Sequence, residues 1–92
     1  MIKSFRSKDT EALFRGRCPK RLLTIRVAAE RKLQMLDSST APEDLRLPPG
    51  NRLEVLRGER MGTWSIRIND QWRLCFRFEG SDAINVEIVD YH

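Results

Sequence analysis

Polar side chains alternate with apolar ones near the end of the chain, and several are of types that catalyse phosphodiester chemistry. In "QWRLCFRFEG", Arg73, Cys75 and Arg77 alternate with bulky apolar residues, and the chain ends "VDYH". Cleavage of RNA without a metal ion needs a base for the attacking 2′-hydroxyl, an acid for the leaving 5′-oxygen and cations around the phosphorane. The candidate cations are Arg57 and Arg73, with Arg67 or Arg77. Tyr91 could donate a hydrogen bond or stack on a base. The candidate titratable groups are His92, Asp90 and Glu54.

His92 is the one histidine of the sequence, and it stands at the last position. Imidazole is the side chain whose unperturbed pKa lies near neutrality, whereas residues at a chain end are often poorly ordered. If "VDYH" closes a paired strand, His92 is held as a general acid or base; otherwise it is inert. Cys75 also has two interpretations, a thiol whose pKa Arg73 and Arg77 lower or a small residue that fills space.

The chain is basic, and most of its basic residues are arginine. Its 92 residues carry 17 Lys or Arg against 13 Asp or Glu, a formal net charge of +4. Arginine binds phosphate bidentately and stacks on bases better than lysine does. The composition favours a polyanionic partner such as nucleic acid, although GC-rich genomes also encode arginine-rich proteins. Arg21, Arg31 and Lys32 are candidate contacts to RNA, or simply a solvated polar helix face.

Length and composition predict one small cytoplasmic domain, residues 1–92. No apolar run approaches the roughly 20 residues that span a bilayer, and "MIKSFRSKD" lacks the apolar core of a signal peptide. Two distant cysteines and one histidine argue against a structural zinc site and a disulfide. No glycine-rich phosphate loop, HExxH or GxSxG motif is present. We expect neither a metal nor a cofactor.

Hydrophobic periodicity predicts helices in the first half of the chain. "IKSF" is predicted to be a short strand, and "SKDTEALFRG" a short helix that Ser7 or Asp9 caps and Gly16 ends. "PKRLLTIRVAAERKLQMLDSS" is predicted to be a longer helix that ends near Ser38. Its apolar residues share one face: Leu22, Ile25, Ala29, Leu33 and Leu36. A loop, residues 39–50, follows and contains three prolines.

Alternation of apolar and polar residues then predicts four antiparallel strands. They are "RLEVLRG", "TWSIRIN", "QWRLCFRFEG" and "AINVEIVDYH", joined by short turn-like connectors. Ile84, Val86 and Ile88 are predicted to face the helices. Trp64 and Trp72 are predicted to be core residues rather than platforms for RNA bases. The result is an α+β two-layer domain whose other sheet face is polar and arginine-rich.

Several segments resemble a known family, above all "PPGNRLE", "G.WSIRINDQWR.CF" and the terminal "VEIVDYH", with "MIKSF" and "VAAERKLQMLD" in support. The chain resembles the HigB toxins, which are RelE-like toxins of bacterial toxin–antitoxin modules. Within them it is similar to the short HigB and GraT proteins and to plasmid-maintenance "killer" proteins. The resemblance implies a RelE-like fold, two N-terminal helices packed on a curved, mainly antiparallel sheet.

The same resemblance implies a function. It implies an endonuclease that cleaves mRNA in the A site of the 70S ribosome and so inhibits translation and growth. It implies a tight complex with a HigA- or GraA-type helix-turn-helix antitoxin, and repression of operator DNA through that antitoxin. These properties come from the resemblance alone, and the composition and spacing are only consistent with them.

The resemblance also assigns roles to individual residues. Carried over by position, the family's active site falls on Glu54, Arg57, Arg73, Asp90, Tyr91 and His92. Some HigB toxins have a histidine at the position of Glu54 and a lysine at that of Arg57, so His92 is the only imidazole available here. His92 is expected to do the acid–base work, with Asp90 or Glu54 setting its tautomer. Glu54 could instead be a base itself, or orient His92 or an arginine.

Two other functions stay open at the level of sequence. The absence of a second histidine is compatible with a module that binds the antitoxin or the ribosome and cleaves little or no RNA. A basic RNA-binding domain with no toxin role would carry a similar charge.

Overall fold

The first helix, α1, has both of its ends set by local sequence. The computed structural model describes residues 1–58 and 62–90. α1 runs Lys8–Phe14, and the Ser7 hydroxyl caps it by accepting a hydrogen bond from the amide of Thr10 at 3.3 Å. Gly16 follows the helix with a φ of +94°, the left-handed conformation that glycine adopts at a helix C-terminus. The predicted cap and stop are both present.

The longer predicted helix consists of two segments. Lys20–Ile25 forms a 3₁₀-helix, and α2 follows as Arg26–Ser38. The tighter first segment contains Thr24 and Ile25, whose β-branched side chains lower the propensity for α-helix. The predicted apolar stripe is confirmed, because all of its members are buried: Leu22, Ile25, Ala29, Leu33 and Leu36.

The predicted loop after α2 is fixed to the core at two points. It contains two short 3₁₀ turns, Pro42–Leu45 and Pro49–Asn51, and a cis peptide bond between Leu47 and Pro48. Leu45 is fully buried in the hydrophobic core, and the polar side chain of Asn51 is fully buried as well.

The sheet contains four antiparallel strands in sequence order, as predicted. They are β1 (Glu54–Val55), β2 (Trp64–Arg67), β3 (Trp72–Glu79) and β4 (Asp82–Asp90). β1 is much shorter than "RLEVLRG" suggested, and both of its residues are exposed at the sheet edge. Short edge strands of this kind limit unwanted pairing with other chains.

Residues 1–6 lie along the outer edge of β4 and run parallel to it. The Lys3 amide donates to the Ala83 carbonyl at 2.8 Å, and the Val86 amide donates to the Ser4 carbonyl at 3.1 Å. These contacts make two isolated bridges, so the strand predicted in "IKSF" is not a regular strand. Too few residues pair in succession to form one.

Ile84 of β4 does not lie on the predicted face, because a bulge at Asn85 precedes the rest of the strand's pairing with β3. Asn85 has a φ of +54°, and the pairing with β3 shifts register beside it. The bulge adds one residue, so Ile84 lies opposite Arg77 and is only half-buried. Ala83 takes the buried position instead. The predicted face of Ile84 is therefore wrong, because strict alternation cannot allow for an inserted residue.

The hydrophobic core lies between the helices and one face of the sheet. Leu74 and Phe76 of β3 are fully buried there, with Leu33 of α2. Trp72 is buried and Trp64 packs half-buried against the same cluster, which confirms the prediction that both belong to the core. Within the described part of the chain, no helix has the length and apolar character needed to cross a membrane.

Candidate active site

The register of the sheet defines which polar residues share a surface, because residues directly opposite each other in antiparallel strands point to the same face. Glu54 lies opposite Ser65, and Ser65 lies opposite Cys75. Two residues further along β2, and therefore on the same face, Arg67 lies opposite Arg73. We call the surface formed by Glu54, Ser65, Cys75, Arg67 and Arg73 the arginine face. It is turned away from the face that packs on the helices, as predicted.

The guanidinium of Arg73 is the enclosed charge of the arginine face, with a side chain that is 11% exposed. Its Nε donates to Ser65 Oγ at 2.9 Å. Its Nη2 donates to the carbonyl of Arg52 at 2.9 Å and lies 3.4 Å from the carbonyl of Ser65. Because a guanidinium stays protonated in proteins, this group is a fixed positive charge on the sheet.

Glu54 is placed to orient that charge. Its Oε1 lies 3.3 Å from Arg73 Nη2, and its side chain is 52% exposed. Solvent screens an ion pair with one partner this exposed, so the pair contributes little to stability. Its effect is geometric. Of the roles predicted for Glu54, orienting an arginine is the one this contact supports.

Positive charge extends from the arginine face towards α2. Lys32 Nζ donates to the side-chain oxygen of Asn51. Burial, together with the positive charges of Arg31 and Arg67, lowers the pKa of Lys32. Arg67 also forms an ion pair with Asp70. Lys32, Arg31 and Arg67 therefore lie close enough for their charges to act on one another, and their predicted RNA contacts stay predictions.

Asp90 lies on the other side of the sheet from Arg73. It pairs with Trp72 at the end of β4, and Trp72 faces the core. Its Oδ2 accepts a hydrogen bond from Gln71 Nε2 at 3.1 Å. The adjacent row pairs Val89 with Arg73, so the structure does not bring the carboxylate of Asp90 onto the arginine face.

Arg57 and the last two residues complete the predicted catalytic set. Arg57 follows β1 and is exposed. β1 ends at Val55, so the alternation of strand faces does not extend to Arg57. Tyr91 and His92 lie outside the described residues, so their predicted roles stay predictions.

Arg21, a predicted RNA contact, is held by contacts within the protein. Its Nε lies 2.6 Å from Asp9 Oδ2, and its guanidinium carbon is 5.5 Å from the centroid of the Trp72 ring. The side chain thus joins the 3₁₀-helix to α1 and to β3. These contacts indicate a structural role that the sequence analysis did not consider.

Arg77 packs against the turn that precedes β2. Its guanidinium occupies the space beside Gly62, where an added Cβ would stand 2.7 Å from Nη2. Gly62 has a φ of +89°, so this position suits glycine on both counts. Arg77 itself is exposed and keeps its predicted place near the polar surface.

Cys75 is fully buried although it belongs to the arginine face. This burial favours the interpretation of a small residue that fills space, since a reactive thiol has to be accessible. Among residues 1–58 and 62–90, no three His, Cys, Asp or Glu side chains are grouped so that they could hold a metal ion.

Three residues that hold Arg73 or the loop before β1 were not predicted from the sequence. Ser65 was assigned only to the polar face of its strand, yet it is fully buried. Arg52 contributes a backbone carbonyl, which no side-chain pattern reveals. Asn51 holds the loop before β1 through its buried amide, which donates to the carbonyls of Leu45 and Leu47 at 3.2 and 3.4 Å. The signal available for Asn51 was a polar residue next to the proline-rich turn "LPPGN".

The architecture of two helices on a four-stranded antiparallel sheet has solved relatives. The chain matches the crystal structure of YafQ from E. coli strain BL21(DE3) with a TM-score of 0.62 and 13% identity, over 98% of this chain and 93% of that one. It matches the YoeB/ParE toxin from Agrobacterium tumefaciens with a TM-score of 0.53 and 18% identity, over 99% of both chains. The fold is therefore RelE-like, as the sequence resemblance implied.

Sequence comparison gives a narrower assignment. A family model described as the RelE-like toxin of type II toxin–antitoxin system HigB matches residues 3–92. Toxin HigB-1 of Vibrio cholerae serotype O1 is 41% identical over 87 residues, which is 92% of each chain. Endoribonuclease HigB of Proteus vulgaris is 34% identical over 98 aligned positions that cover both chains completely. The chain belongs to the HigB-like toxin family.

Proposed function

We propose that this chain is an endoribonuclease toxin that cleaves mRNA in the A site of the translating ribosome, by attack of a 2′-hydroxyl and without a metal ion. Support for the activity comes from the Proteus vulgaris relative, which is named an endoribonuclease and aligns with the whole chain. The observation that carries the reaction is the guanidinium of Arg73, enclosed by Ser65, Arg52 and Glu54. A cation fixed before the reaction begins is what the charge of a phosphorane requires.

The remaining roles follow from the chemistry of the side chains. His92 is the general acid or base, and Tyr91 donates a hydrogen bond or stacks on a base. Arg57 contacts phosphate but is not the base, because a guanidinium keeps its proton in proteins. Asp90 or Glu54 is expected to set the tautomer of His92, and of the two carboxylates it is Glu54 that lies on the arginine face. One well-placed acid–base group contributes about 10²–10⁴-fold in rate.

The ribosome supplies the positioning that so small a site lacks. The chain has a single imidazole for acid–base chemistry. Its net charge of +4 favours docking on ribosomal RNA through Arg31, Lys32 and Arg67. The attack of the 2′-hydroxyl is already intramolecular within the mRNA, so the contribution of the ribosome is to hold the mRNA in an extended path that aligns this attack beside Arg73.

The family implies an antitoxin as partner. We propose that this antitoxin is of the HigA or GraA helix-turn-helix type, that the complex binds operator DNA through the antitoxin, and that the toxin acts in the cytoplasm with no cofactor.

The test maps mRNA 5′ ends on translating ribosomes. Wild-type protein is expected to produce new 5′ ends within codons, and His92→Ala or a chain lacking residues 91 and 92 is expected to lose them. Growth arrest by the truncated chain at wild-type strength contradicts the assignment. Persistence of the new 5′ ends with EDTA-treated protein on ribosomes in their normal magnesium buffer checks that the toxin carries no essential metal of its own.

A second candidate function is a module that binds the antitoxin or the ribosome with little cleavage. Two observations favour it: the Nε and Nη2 groups of Arg73 are already bonded to the protein, and position 54 is not a histidine. Wild-type protein that binds ribosomes without creating new 5′ ends supports the module and rejects the endonuclease.

A further inference from the structure

Arg73 is oriented from two directions at once. From within the sheet, Ser65 Oγ accepts from Nε at 2.9 Å. From the loop before β1, the carbonyl of Arg52 accepts from Nη2 at 2.9 Å. Because Nε and Nη2 form one edge of the planar guanidinium, these two bonds fix both the plane and the rotation of the group.

Ser65 is fully buried, whereas both residues of the neighbouring strand β1 are exposed. Its relative exposure is 0%, and its hydroxyl lies in the interior of the arginine face between Glu54 and Cys75 in the register. A buried hydroxyl needs a hydrogen-bond partner, and the Nε of Arg73 supplies it. Ser65 Oγ is therefore a buried acceptor for the guanidinium of Arg73.

Arg52 reaches Arg73 through an unusual backbone conformation. Its φ is +47° and its ψ is +55°, the left-handed region that residues with a side chain rarely occupy. The conformation is held from the preceding turn, because the Arg52 amide donates to the Pro49 carbonyl at 3.1 Å and Asn51 is fully buried. Backbone held in a disfavoured region is often found where function requires a particular geometry.

We propose that Ser65 and Arg52 are positioning residues that orient the guanidinium of Arg73 for phosphodiester cleavage, Ser65 through its hydroxyl and Arg52 through its backbone carbonyl. The proposal rests on the proposed function, because it gives these residues a role in the same reaction. A displacement of about 1 Å in a group that stabilises a transition state can cost about 100-fold in rate. The cost of misorienting Arg73 thus falls on the cleavage step more than on the affinity for ribosomes.

The first test compares two serine variants. Ser65→Ala is expected to lower the single-turnover cleavage rate on saturating ribosomes by about 10- to 100-fold while changing ribosome affinity less than threefold. Ser39→Ala is the matched control, because Ser39 is also buried and its hydroxyl also makes one hydrogen bond, to the Met35 carbonyl at 2.8 Å. Equal cleavage rates for the two variants overturn the role of Ser65.

A double-variant cycle separates positioning from a general loss of structure. If Ser65 acts through Arg73, Ser65→Ala has no further effect on the residual cleavage rate in an Arg73→Ala background. The proposal is overturned if the fold-loss in cleavage rate of the double variant equals the product of the fold-losses of the two single variants, measured on protein that circular dichroism shows to be folded.

The second test addresses the backbone of Arg52. Arg52→Gly and Arg52→Val both remove the charge, but glycine adopts the left-handed conformation readily and β-branched valine resists it. Arg52→Gly is expected to cleave at least tenfold faster than Arg52→Val. Equal rates indicate that the carbonyl does not matter, and overturn the role of Arg52.

A readout without catalysis keeps this proposal separate from the proposed function. The Nε–H resonance of Arg73 in the wild-type protein, assigned by its loss in Arg73→Ala, is expected to exchange slowly with solvent and to exchange faster in Ser65→Ala. Absence of cleavage by the wild type rejects the proposed function. An Nε–H exchange rate unaffected by Ser65→Ala rejects the orientation of Arg73 by Ser65, whether or not the wild type cleaves.

Discussion

Single residues on the arginine face act through fixed geometry more than through adjustable protonation. Arg73 carries a permanent charge, and Ser65, Arg52 and Glu54 bind it before any RNA arrives. Proton transfer is expected of His92, which follows β4 in the sequence. The division suggests that charge stabilisation and proton transfer are carried by different parts of the site.

Replacement of Arg73 by lysine is expected to leave cleavage nearly as impaired as replacement by alanine, at least 100-fold below wild type. Lysine keeps the positive charge but lacks the planar guanidinium, which donates to Ser65 Oγ and to the Arg52 carbonyl at the same time. Mapping of 5′ ends against time measures the rate. The exposed Arg46→Ala serves as the control for loss of one charge, and recovery by lysine to within a few-fold of wild type contradicts the expectation.

Secondary-structure elements are joined by a few buried polar contacts that hydrophobic patterning does not reveal. The Ile88 amide in β4 donates to Thr10 Oγ1 in α1 at 2.9 Å, and Thr10 is fully buried. The Ile2 amide donates to Asp37 Oδ1 at the end of α2, at 2.8 Å. The apolar stripe of α2 and the alternation of β3 were readable from sequence because burial there repeats with a fixed period. These polar links occur once each and have no period.

Thr10→Val is expected to destabilise the protein by about 1–3 kcal/mol. Valine fills the same volume but cannot accept the hydrogen bond, so the Ile88 amide is left buried and unsatisfied. Equilibrium unfolding in urea measures the change. Thr24→Val, at an exposed position, is expected to change stability far less, and a similar loss in both variants argues against the contact.

The loop before β1 contains a carboxylate whose contribution depends on pH. Hydrogen bonds to Asp44, the largest of them from the Thr40 amide at 2.9 Å, lower the pKa of its carboxyl. A pKa that is lower in the folded state stabilises the fold above the unfolded-state pKa, and the contribution is lost as pH falls through the folded-state value.

Asp44→Asn is therefore expected to be less stable than the wild type at pH 6. The difference in unfolding free energy between the wild type and the variant should become smaller as pH falls below the ordinary range for Asp, because the wild-type carboxyl then loses its charge. Urea unfolding midpoints at a series of pH values measure this convergence. A gap independent of pH contradicts the role of the ionised carboxylate.

The positively charged side chains of the molecule have different surroundings. Arg21 is bonded to Asp9 and lies over Trp72, whereas Arg31 is exposed on α2 near Lys32. Net charge alone favoured a polyanionic partner, but it could not distinguish a cation that holds the fold together from one that is available to RNA. The contacts make that distinction.

Arg31→Ala is expected to weaken ribosome binding and to reduce the slope of log affinity against log salt concentration by about 0.7–0.9, the value for one lost phosphate contact. Arg21→Ala is expected to leave the slope nearly unchanged and to lower stability by about 1 kcal/mol, because a partly exposed ion pair and a cation–π contact are lost. Ribosome binding at several salt concentrations separates the two, and equal slopes for both variants would show that Arg31 makes no phosphate contact.

The layers, strand order and core of this molecule could be predicted from sequence, whereas the surroundings of Arg73 could not. Periodicity identified the buried faces of α2 and β3, and family resemblance supplied the RelE-like architecture. The bulge at Asn85 and the left-handed Arg52 each depend on a single backbone angle, and the burial of Ser65 depends on packing over the sheet. Such features are decided by three-dimensional context, which a residue's type does not encode.

The attachment of residues 1–6 to β4 has a consequence for folding kinetics. The Asn85 amide bonds to Ser4 Oγ across 81 positions of sequence, whereas the β2–β3 and β3–β4 hairpins close over short turns. Local hairpins close quickly and contacts distant in sequence form slowly, so the first residues dock on a β4 that is already paired. We expect this docking to follow the transition state for folding, so that a variant weakened at this edge, such as Ser4→Ala, unfolds faster but folds at nearly the wild-type rate.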